Sequence, residues 1–524
     1  MNSNRKHSTS DMDNMDQSAF ENMKHYSLWN DVMFEDDERN GQESLKSNKD
    51  RLFGPLLDRN LEVEVAVVGG GMAGLCTAFL LQESGHEVVV IEADRVGMGV
   101  SLNTTAKITS QHNVFYHKLI MNFGHKKALE YAKTNEAAIG MYRKIITKLG
   151  IDCDFTEDVA YVYSTSKIDT IKEEVEAAKQ LGIEATFETE TSLPFKIEGA
   201  VCFKNQAHFH PVKFMREIAK RLTIYEESRV TKLVSDDTLY VDVKGKEYQV
   251  KAKKIVIATH YPFINMPSYF FARMHQERSY VIALKAPQML DYGMYIGEDS
   301  SGYSFRKQGD YILLGGESHR TGTQLEKEHF SKLIQAANNW YPNAPIEYQW
   351  ATQDCVTIDE IPYIGPVKED SNVYVATGFK KWGMTSSMVA AMLIRQDIEK
   401  GYDFANSVYS PQRFKLQASK KNLIDDLTTS VTRYTLQKIM IPKDTFEDIQ
   451  NGHGGIVRYH GHKIGVYKDE EGNIYGVSVK CPHLGCLLAW NQEEKTWDCP
   501  CHGSRFDYKG QLINNPAQAS LEEY

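Results

Sequence analysis

The run EVAVVGGGMAGLCTAFLLQESG, beginning at Glu64, constrains the fold of this chain more than any other stretch. An apolar strand enters a glycine turn and leaves it as a helix. Gly69, Gly71 and Gly74 give the spacing G-x-G-x-x-G, with Met72 and Ala73 between the second and third. The first glycine permits a tight turn, the second lets backbone N–H groups approach a pyrophosphate, and the third lets the helix lie close to the strand. A second strand, EVVVIEAD, ends in Glu92, 23 residues after Gly69, where a carboxylate can bond ribose hydroxyls. A glycine turn alone would be weak; strand, turn, helix, strand and acid in this order specify an α/β dinucleotide site. The same region holds the most apolar window of the chain, residues 63–82, but three consecutive glycines and Glu64 exclude a membrane helix there.

A chain of 524 residues is too long for one core and divides into two or three domains. Residues 1–55 are polar and lack periodic apolar pattern, which predicts an extended or partly disordered arm. Residues 56–400 alternate strands with amphipathic helices, including two purely helical segments at 126–150 and 167–182. Residues 401–441 form a polar linker with helical character from Leu423 onward, and residues 442–524 change to short strands and turns. The net charge of −10, without a basic stripe, argues against nucleic acid and anionic membrane as partners. No signal peptide or membrane span is recognisable, so a cytoplasmic protein is expected.

Further patches between residues 60 and 400 give the dinucleotide site a family. DRVGMGVSLNTTAKIT, containing Gly97, Gly99, Thr104 and Thr105, follows Glu92. FHPVKF stands at 209–214, ESRVTKL with Val230 at 227–233, and KIVIATHYPF with Ala258 and Thr259 at 254–263. TIDEIPYIGP with Gly365 and VYVATGFKKWGMTSSMVAAMLI with Gly378, Gly383, Met384 and Thr385 close the series. In this order they resemble the FAD-dependent oxidoreductases of the D-amino-acid oxidase and glycine oxidase family. The resemblance implies an α/β FAD-binding Rossmann-type domain with an antiparallel-sheet substrate domain interleaved over residues 56–400. It implies FAD as cofactor, bound by Gly69, Gly71, Met72, Ala73, Gly74, Glu92, Gly99, Thr104, Thr105, Val230, Ala258, Thr259, Gly365, Gly378, Gly383, Met384 and Thr385. Some relatives attach flavin to a cysteine near the position of Thr352; Cys355 is displaced from it, so non-covalent FAD is expected. A second glycine fingerprint for a nicotinamide nucleotide is missing, LLGGES at 313–318 being the nearest failure.

Four of the eight cysteines fall in KCPHLGCLLAWNQEEKTWDCPCHGSRF, residues 480–506, with two histidines. Zinc is the plain alternative for such a cluster. The offsets Cys481-x-His483 and Cys499-x-x-His502 resemble the ligand pairs of a Rieske [2Fe–2S] centre, in which two thiolates hold one iron and two imidazoles the other. That resemblance implies a small all-β Rieske domain over 442–524. It implies a disulfide between Cys486 and Cys501, with two reduced thiols as the alternative, and a hydroxyl donor at Ser504. High-potential members carry a tyrosine where this chain has Phe506.

Together the two resemblances imply an enzyme that oxidises a small amine or amino acid at a C–H next to nitrogen. The hydride goes to FAD, and electrons pass singly through the cluster to an external one-electron acceptor or O2. A non-catalytic electron-transfer or redox-sensing protein, or a reductase component of an oxygenase system, is the alternative. A complete Rieske oxygenase is disfavoured, since only 22 residues follow His502. The strands QERSYVIAL (276–284) and GYSFRKQGDYILLGGESHRTG (302–322) are expected to roof the flavin. Arg278, Tyr280, Tyr303 and Arg306 in them are candidates for holding a substrate carboxylate, a guanidinium being able to do so bidentately. Strand residues facing solvent are an equally ready reading of each, and no catalytic residue is assigned. Lys107, Lys380 and Lys381 can place positive charge near the flavin, and His319 is expected at a turn or the surface. Redox titration is expected to place the cluster in the middle of the range from about −150 to +300 mV. Phe506→Tyr is expected to raise that value by roughly 45 mV, the one-electron equivalent of one hydrogen bond of about 1 kcal/mol. A wild-type value at the top of the range would refute this reading of Phe506.

Overall fold

In the computed structural model, residues 23–32, 53–264, 269–286, 290–299, 302–323, 328–413 and 448–524 are described. The strand Leu61–Val68 sits near the middle of an eight-stranded sheet, paired in parallel with Val88–Ile91 on one side and Lys246–Ile257 on the other. Thr223–Tyr225 and Val373–Thr377 continue the parallel set outward. Tyr363–Pro366 closes one edge antiparallel, and the ribbon Arg229–Ser235 with Thr238–Val243 attaches through Lys246–Ile257. Parallel strands covered on both faces need apolar residues without alternation. Val65, Ala66, Val67 and Val68 are accordingly all buried. The helix Met72–Glu83 packs on this sheet so closely that every residue from Met72 to Leu81 is buried. It meets the last helix of the body, Gly383–Lys400, along its length.

A second, nine-stranded sheet stands beside the first. Its order begins Ile346–Thr357, Met274–Leu284, Tyr311–Arg320, Ser304–Gln308, and every pair in that series is antiparallel. Met294–Gly297 and Thr156–Ser164 form its parallel pair. The helices expected at 126–150 and 167–182 are present as His125–Leu149 and Ile168–Gln180, and Gly150 ends the first in a left-handed cap (φ 63°). The C-terminal part is all β, a three-stranded and a four-stranded sheet between Gly454 and Asn514. KDEEGN is the expected turn, joining His462–Lys468 to Ile474–Ser478. Among the described residues no helix is long and apolar enough to cross a membrane.

Part of the segment expected as an extended or partly disordered arm is packed. Residues 23–32 dock on the body: Lys24 pairs with Tyr348 at the edge of the second sheet, and Trp29 is fully buried. The indole N–H of Trp29 donates to Thr104 O at 2.7 Å, and Ser27 Oγ donates to Leu102 O at 2.6 Å. One buried aromatic and one open sheet edge suffice to hold a segment whose average composition is polar. Residues 401–413 likewise pack on the body, where the Arg413 guanidinium donates two 2.8 Å bonds to the Asp359 carboxylate. The helical character expected from Leu423 onward lies outside the described residues. Trp29→Ala is expected to lower stability by about 3–5 kcal/mol, read as a reduced denaturant midpoint at unchanged slope.

Candidate redox site

A cavity of about 590 Å³ opens where the parallel strands end. Gly69 makes the turn at φ 111°, and a Cβ on it would come within 2.6 Å of Ala258 O. A Cβ on Gly74 would come within 1.8 Å of Gly69 O, so only glycine lets the helix approach the turn. Glu92 closes the same corner: its carboxylate accepts from the N–H groups of Gly70 at 2.5 Å and Asp94 at 2.8 Å. Burial raises its pKa despite those two donors. The N-terminus of the helix Gly383–Lys400 also borders the cavity and adds a positive end of a helix dipole.

Most of the residues expected to bind the dinucleotide line this cavity: Gly69, Gly71, Met72, Ala73, Glu92, Gly99, Thr104, Thr105, Val230, Ala258, Thr259, Gly378, Gly383 and Met384. Three do not line it. Gly74 supports the turn from behind, Gly365 packs on Phe404, and Thr385 Oγ1 donates to Thr109 O at 2.8 Å. The glycine cradle, the helix N-terminus behind it and the acid fit a dinucleotide. No cysteine lines the cavity among the described residues; Thr352 does, and Cys355 does not.

The cluster-like tail folds into two loops of the same construction. Cys481 N–H donates to Cys486 O and Gly485 N–H to Cys481 O, at 2.8 and 2.9 Å. Cys499 N–H donates to Ser504 O and Gly503 N–H to Cys499 O, again at 2.8 and 2.9 Å. A disulfide joins Cys486 to Cys501 across the loops. The sulfurs of Cys486, Cys499 and Cys501 lie within 4.8 Å of one another, but the disulfide leaves two of the three no thiolate to offer a metal. Cys481 and Cys499 remain as buried free thiols. A hydrogen bond between their sulfurs pulls the pKa of Cys481 down to about 7 and pushes that of Cys499 up. The Ser504 hydroxyl also reaches the Cys481 sulfur. The rings of His483 and His502 stand 5.0 Å apart and perpendicular. Two facing sulfurs, two neighbouring imidazoles and an excluded cysteine pair fit a [2Fe–2S] group held by Cys₂His₂ better than a zinc ion held by cysteines.

The histidine side of these loops is turned onto the flavin-domain sheet. Gln276 Nε2 donates to His502 O and to Asn515 O, both at 2.8 Å. Gln353 Nε2 donates to Gly503 O at 2.8 Å and to Gln276 Oε1 at 2.7 Å. A Cβ on Gly503 (φ 81°) would stand 2.6 Å from Gln276 Cβ, so the approach depends on glycine. Phe271 meets both imidazoles edge-on, at 6.3 and 6.0 Å. Leu512, Ile513, Asn514, Asn515 and Gln518 line the same cavity as the glycine turn.

The substrate-site candidates are dispersed. Arg278 is buried and holds the Glu494 carboxylate of the C-terminal domain in a two-point pair, Nε to Oε1 at 3.1 Å. Its neighbour Ser279 lines the cavity instead. Arg306 is wholly buried and does not line the cavity; its Nη2 donates to Gln308 Oε1 at 2.8 Å and its guanidinium lies 5.6 Å from the Trp29 ring. Tyr303 packs on Trp340, off the cavity. Tyr280 does line it, stacked on His329 at 4.8 Å. His319, expected at the surface, is buried in the same stack, 4.1 Å from His329. Lys107, Lys380 and Lys381 all line the cavity, and burial brings the Lys107 pKa down to about 7. Sequence inspection missed Asp354, Ser279, Ser318 and the Leu512–Gln518 wall. No local motif marks them.

This fold and these two sites define a flavin-dependent oxidoreductase with an iron–sulfur domain. Residues 64–396 match the FAD dependent oxidoreductase (DAO) family and residues 441–524 the Rieske [2Fe-2S] domain. The Rieske 2Fe-2S iron-sulfur protein YhfW of Bacillus subtilis (strain 168) is 37% identical over 492 residues, covering 91% of this chain and 96% of that protein. Gamma-glutamylputrescine oxidoreductase of Escherichia coli (strain K12) is 24% identical, covering 68% and 89%. Glycine oxidase from Geobacillus kaustophilus shares the fold, with a TM-score of 0.56 at 18% identity over 68% of this chain and all of that one. The chain belongs to the DAO family of FAD-dependent oxidoreductases and carries a C-terminal Rieske domain; its cofactors are FAD and a [2Fe–2S] cluster.

Glu494 tests how the domains hold together. Burial opposes its ionisation, but Arg278 and Arg505 outweigh that and hold its pKa down at about 2. Its contribution is therefore complete above the ordinary glutamate range near pH 4.3 and fades as pH falls toward 2. Glu494→Gln, which leaves two buried guanidinium groups facing a neutral amide, is expected to cost about 3–5 kcal/mol at pH 7. The wild-type advantage in denaturant titration is expected to shrink between pH 4 and 2.

Proposed function

We propose that this protein oxidises a small amine or amino acid at a C–H next to nitrogen and delivers the electrons one at a time, through its Rieske domain, to an external acceptor. The observation that carries this reading is the docking of the His502 loop on the flavin-domain sheet by Gln276 and Gln353. That docking turns the imidazole side of the cluster loops toward the flavin domain. When bound, the flavin accepts two electrons as a hydride and the cluster carries them singly. The Escherichia coli and Geobacillus relatives, a gamma-glutamylputrescine oxidoreductase and a glycine oxidase, support the substrate class.

In this reading the glycine turn, Glu92, the Gly99–Thr105 loop, Val230, Ala258, Thr259 and the Gly378–Met384 segment hold FAD without a covalent bond. Cys481, His483, Cys499 and His502 hold the cluster, and the disulfide braces their loops. The working units are residues 56–400 and 442–524, joined through 401–441. The residues of the chain do the rest. Gln276 and Gln353 fix the distance between the two sites, and the Leu512–Gln518 segment walls the cavity on the side of the Rieske domain. Anaerobic mixing with a panel of amines and amino acids is expected to bleach the flavin absorption and then raise a Rieske EPR signal. Cys481→Ser is expected to abolish the EPR signal while leaving the bleaching. Bleaching by NADH alone, with no response to any amine, would refute the proposal.

A further inference from the structure

Among the described residues, one buried carboxyl at the cavity has neither a hydrogen bond nor an ion pair. Asp354, on the strand Ile346–Thr357, is 8% exposed and borders the cavity. Its cross-strand neighbour Glu277 is committed elsewhere, to His275 at 3.3 Å and to Lys381 at 3.6 Å. Lys381 in turn donates to Ser318 Oγ at 2.5 Å. Two residues before Asp354, the Thr352 hydroxyl borders the same cavity and its oxygen has no hydrogen-bond partner among the described residues. Neither of the two arginines lines the cavity: Arg278 holds Glu494, and Arg306 is wholly buried beside Gln308 and the Trp29 ring.

A nine-tenths buried carboxyl with no partner is costly unless a ligand supplies one. The complement of a lone carboxyl beside a hydroxyl is a cationic N–H donor. We propose that Asp354 receives the ammonium group of the substrate and takes its proton, which makes this a site for amines held by their nitrogen. The proposal rests on the amine reading above and deepens it. The step balances: an N–H bond of the ammonium breaks and an O–H bond forms on Asp354. The nitrogen keeps the electron pair, which it needs to form a C=N bond when the neighbouring carbon is oxidised. Burial raises the Asp354 pKa to about 7; Lys381 and Arg278 oppose this and Glu277 adds to it. An acid–base group tuned near neutrality suits such a transfer. Of the other charged groups at this face, Lys380 pairs with Glu360 at 3.1 Å and His275 with Glu277.

The test uses the holoprotein and its Asp354→Asn and Asp354→Glu variants. Anaerobic single-turnover flavin reduction, with an amine that bleaches the wild type, is followed from pH 5 to 10. Wild-type rate is expected to rise through about pH 7; Asp354→Asn is expected to lose that limb and about 100-fold in rate, and Asp354→Glu to keep the limb. A second readout needs no turnover. Ammonium chloride, against sodium chloride at equal ionic strength, is expected to shift the flavin visible band of the wild type, with affinity at least tenfold weaker in Asp354→Asn. Equal rates, pH limbs and ammonium affinities in wild type and Asp354→Asn would overturn the role of Asp354 and leave the amine reading standing. If no amine bleaches the wild type, that reading falls, and the ammonium titration alone decides whether Asp354 binds a cation; no shift in the wild type overturns it.

Discussion

Two amide side chains set the relation between the two halves of this protein. Gln276 and Gln353, on adjacent strands of the second sheet, donate to the main-chain carbonyls of His502, Gly503 and Asn515, and Gln353 donates also to Gln276. Carbonyls of a tight loop have no partner within the loop, so burying them against a sheet requires donors brought from outside. An amide fits because its N–H₂ group can serve two acceptors while its oxygen is satisfied by the neighbouring amide. The result is directional. A purely apolar contact would tolerate sliding, whereas these bonds fix which face of the cluster loops meets the flavin domain.

Around that contact the interface is ionic. Glu494 lies between Arg278 of one domain and Arg505 of its own, and Arg505 also bonds Asp498 at 2.9 Å. Two buried cations and two buried carboxylates satisfy each other, which offsets a desolvation cost that any single member would carry uncompensated. The arrangement is specific rather than especially stabilising, and it has a consequence for function. It holds Arg278 away from the cavity that Asp354 borders.

The legible parts of the sequence were those whose chemistry is complete within a few residues. The glycine turn, its helix and Glu92 stand together because a phosphate cradle is built from one turn and the ends of two strands. The tail is similar: each loop is closed by its own backbone bonds, four or five residues apart. Arg278 and Arg306 were misleading for the same reason. A guanidinium on a strand near a flavin invites a carboxylate, but strand position alone does not say which face is turned to the cavity. Trp29 shows the converse: an average over polar neighbours hides one indole that buries completely.

The sequence by itself determined the α/β body, the nucleotide turn, the pairing of two cofactor classes in one chain and the departure at Phe506. Local sterics and short-range hydrogen bonds decide all of these. Only the tertiary structure decided that Arg278 meets a carboxylate 216 residues away, that Asp354 has no partner among the described residues, and that Leu512–Gln518 lines the flavin cavity. The reason is physical. A charged side chain acquires its role from what neutralises it, and here the neutralising groups come from a domain that is remote in sequence and reaches the site only when the whole chain has folded.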